Sequence, residues 1–225
     1  MSTITLDGAS GFLTRAKQPR AGVVLLPTIY GVNPFMTEFA AHLAEAGLTS
    51  LVWDPYPGDP LPSGFDAALQ RGGQLRDGPS LDGMAKCVDY LMGELRLDHV
   101  GTLGFCLGGR YCLLLAARDK RIDACVAIYP SIHARRNANQ DEDVLARAVD
   151  IACPVHVVYP GRDNVTTNDV FYRLQQTLQQ RQVQTMIQLF PAADHGFMHN
   201  PGAVNQTAAQ QTTPLATNFL QTCLA

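Results

Sequence analysis

Residues 100–109 read VGTLGFCLGG, and this stretch decides the fold. Its first six residues are apolar and predict a strand buried on both faces, and the apolar residues 107–117 predict a helix directly after it. Gly104, Cys106 and Gly108 form a G-x-C-x-G pattern, which is typical of a sharp turn between a strand and a helix. The glycines are needed because a Cβ at either position would collide with the neighbouring strand or helix. The stretch therefore predicts a strand, a tight turn with a cysteine at its apex, and a helix.

The same alternation of apolar strand and amphipathic helix extends along the chain on both sides. Strands are predicted over residues 21–30, 48–54, 100–105, 124–129, 155–159 and 185–190, and helices from Pro34 with Asn33 as N-cap, over 80–95, 107–117 and 168–181, and from about 203. Repeated strand–helix units predict an α/β fold, with a mainly parallel, doubly wound sheet flanked by helices. The opening residues could add one or two antiparallel edge strands.

Two segments interrupt this alternation. Residues 55–79 are rich in proline and glycine and are predicted to form a long loop, whose length permits a mobile lid. The polar residues 131–150 are interpreted as a solvated excursion before the next strand. No domain linker is found along the chain, so a single domain over residues 1–225 is expected.

Composition and charge exclude several functional classes. The chain has 46% hydrophobic residues, but its apolar runs are far shorter than the roughly 20 residues that a membrane span requires. Its net charge of -3 gives no basic stripe for nucleic acid. The N-terminus lacks the features of a signal peptide, and the six cysteines form no CxxC pair, which together predict a cytoplasmic protein with reduced thiols. No metal-binding or dinucleotide-binding spacing is found, so neither metal nor cofactor is expected, and a monomer or weak homo-oligomer is predicted.

A doubly wound sheet places its ligand site beyond the carboxyl ends of its strands, where Cys106 is predicted to lie. A cysteine at a helix N-terminus is stabilised as the thiolate, and the N–H of Leu107 could donate to an oxyanion. The alternative is a buried cysteine in a glycine-rich turn.

Asp163 and His195 favour a catalytic interpretation of Cys106. Each follows its own predicted strand, in the order nucleophile, acid, base, so both are expected at the same edge of the sheet. Asp194 is a weaker candidate because it directly precedes His195 in the chain. Of the other histidines, His156 is predicted to lie in the core, His199 either lines the pocket or lies on the surface, and the remaining three are predicted to be surface residues: His42, His99 and His133.

These motifs resemble the dienelactone hydrolase family, a branch of the α/β-hydrolase superfamily with cysteine at the turn. The resemblance runs from about Ala21 to the last helix and is carried by IYGVNPFM, DPY, GFCLGGR, GRD and DHGF. It implies an α/β-hydrolase fold and cleavage of a small-molecule ester or lactone through a thioester. It also implies Cys106 as nucleophile, Asp163 as orienting acid, His195 as base, and the N–H groups of Ile29 and Leu107 as oxyanion donors.

The substrate pocket departs from the family pattern. Thr28 stands where the dienelactone-cleaving members have a glutamate, and His199 stands where they have an arginine. Arg71 or Arg76 could supply the missing guanidinium. The predicted substrate-binding residues are Thr28, Tyr30, Phe105, Phe197 and His199. A small-molecule receptor, a redox-sensing thiol protein, and acyl transfer to another acceptor remain as alternative functions.

Overall fold

The computed structural model describes residues 2–225, and its centre is one eight-stranded sheet. The strands are β1 (Ser2–Leu6), β2 (Ala9–Thr14), β3 (Ala21–Leu26), β4 (Leu48–Trp53), β5 (Val100–Phe105), β6 (Ile122–Ile128), β7 (Val155–Arg162) and β8 (Thr185–Asp194). They lie in the order β1-β2-β4-β3-β5-β6-β7-β8 across the sheet. All pairs from β4 to β8 are parallel, and β1 and β2 form an antiparallel extension beside β4.

Helices cover both faces of this sheet and divide the core in two. The helices are α1 (Pro34–Glu45), α2 (Phe65–Gly72), α3 (Asp77–Asp89), α4 (Leu107–Arg118), α5 (Val144–Arg147), α6 (Asn168–Gln179) and α7 (Ala203–Cys223). One apolar cluster holds side chains from α3, α4, α5 and α6, and the other holds side chains from α1 and α7. The mainly parallel, doubly wound sheet predicted from the sequence is confirmed, and so are the antiparallel edge strands.

The start of α1 shows how local sequence sets an element boundary. The Asn33 side chain accepts a hydrogen bond from the Met36 N–H at 3.2 Å, and Pro34 occupies the first helical position. An N-cap asparagine followed by proline is a strong start signal, because the cap satisfies a free N–H group and proline has none to satisfy. The predicted start of this helix is confirmed.

Three predicted boundaries are wrong. The first long strand ends at Leu26 rather than residue 30, because Pro27 has no N–H to continue the ladder. The predicted loop over residues 55–79 contains all of α2 and the beginning of α3. The excursion over residues 131–150 contains α5, whose N-cap Asp143 accepts from the Leu145 N–H at 3.0 Å.

Two strands extend further than their apolar runs indicate. β7 continues to Arg162 and β8 to Asp194, with an irregularity between Pro160 and Arg162. These extensions bring Asp163 and His195 to the first position after their strands. Within residues 2–225, none of the helices has the length and hydrophobicity needed to cross a bilayer.

Candidate active site

Cys106 occupies a strained backbone position between β5 and α4. Its φ and ψ are 54° and -115°, in a region that residues with a side chain rarely adopt. Such strain costs about 1–3 kcal/mol and persists where the surrounding structure holds it in place. The Cys106 carbonyl accepts from the N–H groups of Arg110 at 3.1 Å and Ser131 at 2.9 Å. These bonds leave the half-buried Cys106 side chain at the helix N-terminus, as the sequence predicts.

The glycines beside Cys106 permit close backbone contacts. A Cβ on Gly104 would lie 2.4 Å from the Gly108 carbonyl oxygen, and a Cβ on Gly108 would lie 2.1 Å from the Leu26 carbonyl oxygen. Backbone atoms cannot move aside as a flexible side chain can. The close approach of Gly108 to Leu26 also places the start of α4 against the loop that follows β3, which carries Thr28 and Ile29.

Asp163 and His195 form a buried, oriented pair. His195 Nδ1 lies 2.9 Å from Asp163 Oδ2, and the Asp163 side chain is fully buried. The other oxygen of Asp163 accepts from the N–H groups of Val165 and Thr166, each at 2.8 Å. The carboxylate is therefore fixed in place, and it holds the proton of the imidazole on Nδ1. His195 Nε2 makes no hydrogen bond to any part of residues 2–225, which leaves it available for a reacting proton.

Electrostatics favour a protonated His195 in the resting site. Burial lowers its pKa, but the interactions of the imidazole with the Asp163 and Cys106 side chains outweigh that effect and raise the pKa to about 10. The structure therefore brings together Cys106, Asp163 and His195, three residues far apart in the sequence.

The N–H groups of Ile29 and Leu107 lie at the ends of β3 and β5, which are neighbouring strands. Among the described residues, neither N–H donates a hydrogen bond. Two N–H groups without a partner at the ends of neighbouring strands are the kind of donors that an oxyanion hole requires.

The predicted aromatic residues have different positions. Phe105 and Phe197 are at most 1% exposed and pack around Tyr129, so they support the site from the core instead of presenting a free surface. Tyr129 itself contacts His195, with ring centroids 5.2 Å apart. It follows β6 directly, with a φ of 37°, and is fully buried. Tyr30 is half-buried in the loop after β3.

The two positions that differ from the family pattern lie close to this site. Thr28 is buried, and its hydroxyl accepts from the Tyr30 N–H at 3.3 Å, so it stabilises the loop before Ile29. His199 is exposed, with its ring 5.5 Å from that of Phe35. Neighbouring protein atoms displace part of the water around the ring, and together with the charge of His195 they lower the pKa of His199, which leaves it neutral near pH 7 and a poor substitute for arginine.

Of the two candidate arginines, Arg71 is the one associated with the site. Its guanidinium lies 4.0 Å from the centre of the ring of Tyr56, whose pKa is raised by burial to about 12. A Cβ on Gly72, the next residue, would lie 3.1 Å from the Ile29 side chain. Arg76 instead donates to the Ala138 carbonyl and lines a separate cavity that contains none of the predicted site residues.

His133 lies closer to the site than the sequence suggests. It is half-buried, and burial and the charges of Arg110 and His195 lower its pKa. The prediction of an ordinary surface histidine is therefore wrong. The sequence feature that indicates a position near the site is that His133 comes five residues after the end of a parallel strand. Asp194 is turned away, since its carboxylate accepts from Asn205 at 3.1 Å. His156 is fully buried in β7, as predicted.

Comparison with known proteins assigns this arrangement to a family. The model of the dienelactone hydrolase family matches residues 9–224, nearly the whole chain. The chain belongs to the dienelactone hydrolase family. As a family member it is a hydrolase of ester or lactone bonds.

Two curated relatives of this dienelactone hydrolase family member carry the name carboxymethylenebutenolidase. The protein from Rhodococcus opacus is 30% identical, over 78% of this chain and 69% of that protein. Carboxymethylenebutenolidase 2 from Cupriavidus pinatubonensis is 29% identical, over 97% of this chain and 93% of that protein.

Solved structures show the same fold at lower identity. Dienelactone hydrolase from Anabaena variabilis is 19% identical with a TM-score of 0.72, covering 100% of this chain and 97% of that one. An alpha/beta hydrolase from a Penicillium species is 15% identical with a TM-score of 0.73, covering 99% and 98%. The predicted α/β-hydrolase fold is confirmed.

Proposed function

We propose that this protein hydrolyses a small carboxylic ester or lactone through a thioester on Cys106. The observation that carries the proposal is the oriented His195–Asp163 pair. The Nε2 of His195 has no hydrogen-bond partner and lies beside Cys106, a half-buried cysteine at a strained strand–helix turn. A cysteine kept only for packing would need neither the strained backbone nor the charged neighbours.

The first half of the reaction forms the thioester. The Cys106 sulfur attacks the carbonyl carbon, a C–S bond forms, and the carbonyl electron pair moves to oxygen. The N–H groups of Ile29 and Leu107 bind this oxyanion, each contributing roughly 3 kcal/mol. When the intermediate collapses, the ester C–O bond breaks and the leaving oxygen takes a proton from His195.

The second half uses the same histidine as a base. Acylation removes the negative charge of the thiolate, so the interaction with Cys106 no longer raises the His195 pKa. The imidazole then takes a proton from water, and the resulting hydroxide attacks the thioester carbonyl. The C–S bond breaks, the acid is released, and Cys106 leaves as the thiolate beside protonated His195.

Arg71 indicates a substrate that carries a carboxylate. Its side chain is only 15% exposed and lies against Tyr56, whereas its partner Asp59 is 64% exposed and 2.8 Å away. An ion pair with so exposed a partner contributes little, so a substrate carboxylate can replace Asp59. Arginine binds carboxylates in a two-pronged geometry that the neutral His199 lacks.

Turnover of an activated aryl ester tests the mechanism. We expect Cys106→Ala to abolish turnover, because the variant has no atom to carry the acyl group. Cys223→Ala is a matched control, since Cys223 is the other half-buried cysteine, and it should retain wild-type activity.

Two results would contradict the proposal. Unchanged turnover in Cys106→Ala would exclude Cys106 as the nucleophile. Binding of esters by the wild type without any product would favour the receptor alternative.

A further inference from the structure

The C-terminal part of the chain forms a surface almost without charge. Residues 182–225 contain only one of the chain's 17 basic and 20 acidic residues, Asp194. At the chain average of 16% charged residues, a stretch of this length would contain several more. This segment comprises β8 and α7, which lie next to each other at one end of the sheet.

β8 is an unprotected edge strand. It has ten residues, β7 pairs with one of its sides, and no strand of the described chain pairs with the other. Edge strands usually carry lysine or another charge that prevents pairing with a further strand. β8 has no charge before its last residue, and Leu189 in its middle is 50% exposed.

α7 borders the same edge of the sheet on the face opposite to Leu189, since Met186 and Phe190 of β8 pack in the apolar cluster of α7 and Ile187 packs in the other one. Its 21 residues include no Asp, Glu, Lys or Arg, whereas each of the other helices has at least one. Val204 is 52% exposed and Leu215 is 39% exposed. An apolar groove of about 330 Å³ joins the end of β8 to the start of α7 and is lined by Phe190, Pro191, Ala192, Ala193, Ala203, Val204, Thr207 and Ala208. We call the outer edge of β8, this groove and the exposed side of α7 the β8–α7 face.

We propose that the β8–α7 face binds the same face of a second copy of this chain, with the two β8 strands antiparallel across a two-fold axis. Two-fold pairing brings a patch against its own copy, so any cluster of one charge would repel itself. A face without charge avoids this repulsion. A charged partner would find no opposite charge on this face, which favours a second copy of the chain over a charged protein.

The pairing would give the polar backbone groups hydrogen-bond partners and would remove apolar side chains from water. The unpaired N–H and C=O groups of the two edges would complete each other and extend the sheet from one chain into the next. Leu189 and Val204 would lose contact with water, as apolar side chains do at the centre of a protein interface.

Mass measurement by light scattering during gel filtration tests this proposal on the full-length protein at micromolar concentration. We expect the wild type to have twice the mass of one chain. Leu189→Lys should raise the dissociation constant at least tenfold, because it places two buried cations near each other. Val204→Lys on α7 should act in the same direction and provides a second, independent site.

Leu61→Lys is the matched control, because Leu61 is 53% exposed but lies outside the β8–α7 face. It should dimerise as the wild type does, and circular dichroism should show that all three variants are folded. A monomeric wild type at tens of micromolar would overturn the proposal, even if the protein bound a different partner. Dimers in Leu189→Lys and Val204→Lys as stable as those of Leu61→Lys would overturn it as well.

Discussion

His195 links the chemistry of the site to the stability of the fold. A free imidazole has a pKa of 6.5, and in the site it is raised to about 10. At pH values between 6.5 and about 10, His195 of the folded protein holds a proton that His195 of the unfolded chain has released. The contribution of His195 to the free energy of unfolding should therefore be largest below pH 6.5, and it should fall as the pH rises toward 10.

Urea unfolding at a series of pH values between 6.5 and 10 checks this prediction. We expect Cys106→Ser to lose stability across this range more steeply than the double variant Cys106→Ser/His195→Gln, because neither protein has a thiol whose proton could offset that of the imidazole. The difference between the two curves isolates His195 from the lysines and tyrosines that both proteins share. Parallel curves would show that the folded site does not hold the proton.

Arg71 permits a prediction about substrate binding. Arg71→Gln should raise KM about tenfold for an ester that carries a carboxylate, since a hydrogen bond to a charged group contributes about 1.5–3 kcal/mol. It should have little effect on a neutral ester of the same shape. Arg76→Gln is the control, because Arg76 lies at a different cavity. Equal effects of the two substitutions, or equal effects of Arg71→Gln on both esters, would exclude this role.

The strand–turn–helix element around Cys106 depends on contacts between backbone atoms. Gly108→Ala should destabilise the protein by more than about 3 kcal/mol, because the new Cβ would lie 2.1 Å from the Leu26 carbonyl oxygen and neither backbone can move freely. Gly78→Ala is a matched control in α3, where a Cβ would meet no atom within 4 Å. It should stabilise the protein by about 0.5–1 kcal/mol through helix propensity. Thermal unfolding measures both, and a Gly108→Ala variant as stable as the wild type would contradict the packing described here.

Elements whose apolar residues recur at a regular helical or strand spacing could be predicted from the sequence. Elements that depend on contacts with distant residues could not. The strand ending at Phe105 and the helix after Asn33 carry their signals locally. α2 does not, since its few apolar residues are interrupted by polar ones and two of them, Phe65 and Leu69, are largely exposed. It is held by contacts such as that between Gly72 and Ile29, which no local pattern reveals.

At the scale of the whole molecule, the parallel sheet is what assembles the site. Cys106, Asp163 and His195 each follow a parallel strand, so chain order and sheet direction sufficed to predict that they would meet. The position of His133 and the surface at the β8 edge depend on how loops and helices pack in three dimensions. The single charge in residues 182–225 was nevertheless visible in the sequence, although its meaning required the location of β8 at the edge of the sheet.

In the proposed mechanism the acyl group of the substrate is transferred to Cys106. The most direct measurement mixes the wild type with an activated aryl ester, stops the reaction with acid within milliseconds, and locates the added mass by peptide mapping. We expect one acyl group per chain on the peptide that contains Cys106, and none on the peptide that contains Cys223. Rapid turnover without an acyl group on Cys106, or an acyl group on another residue that forms and decays at the rate of turnover, would contradict it.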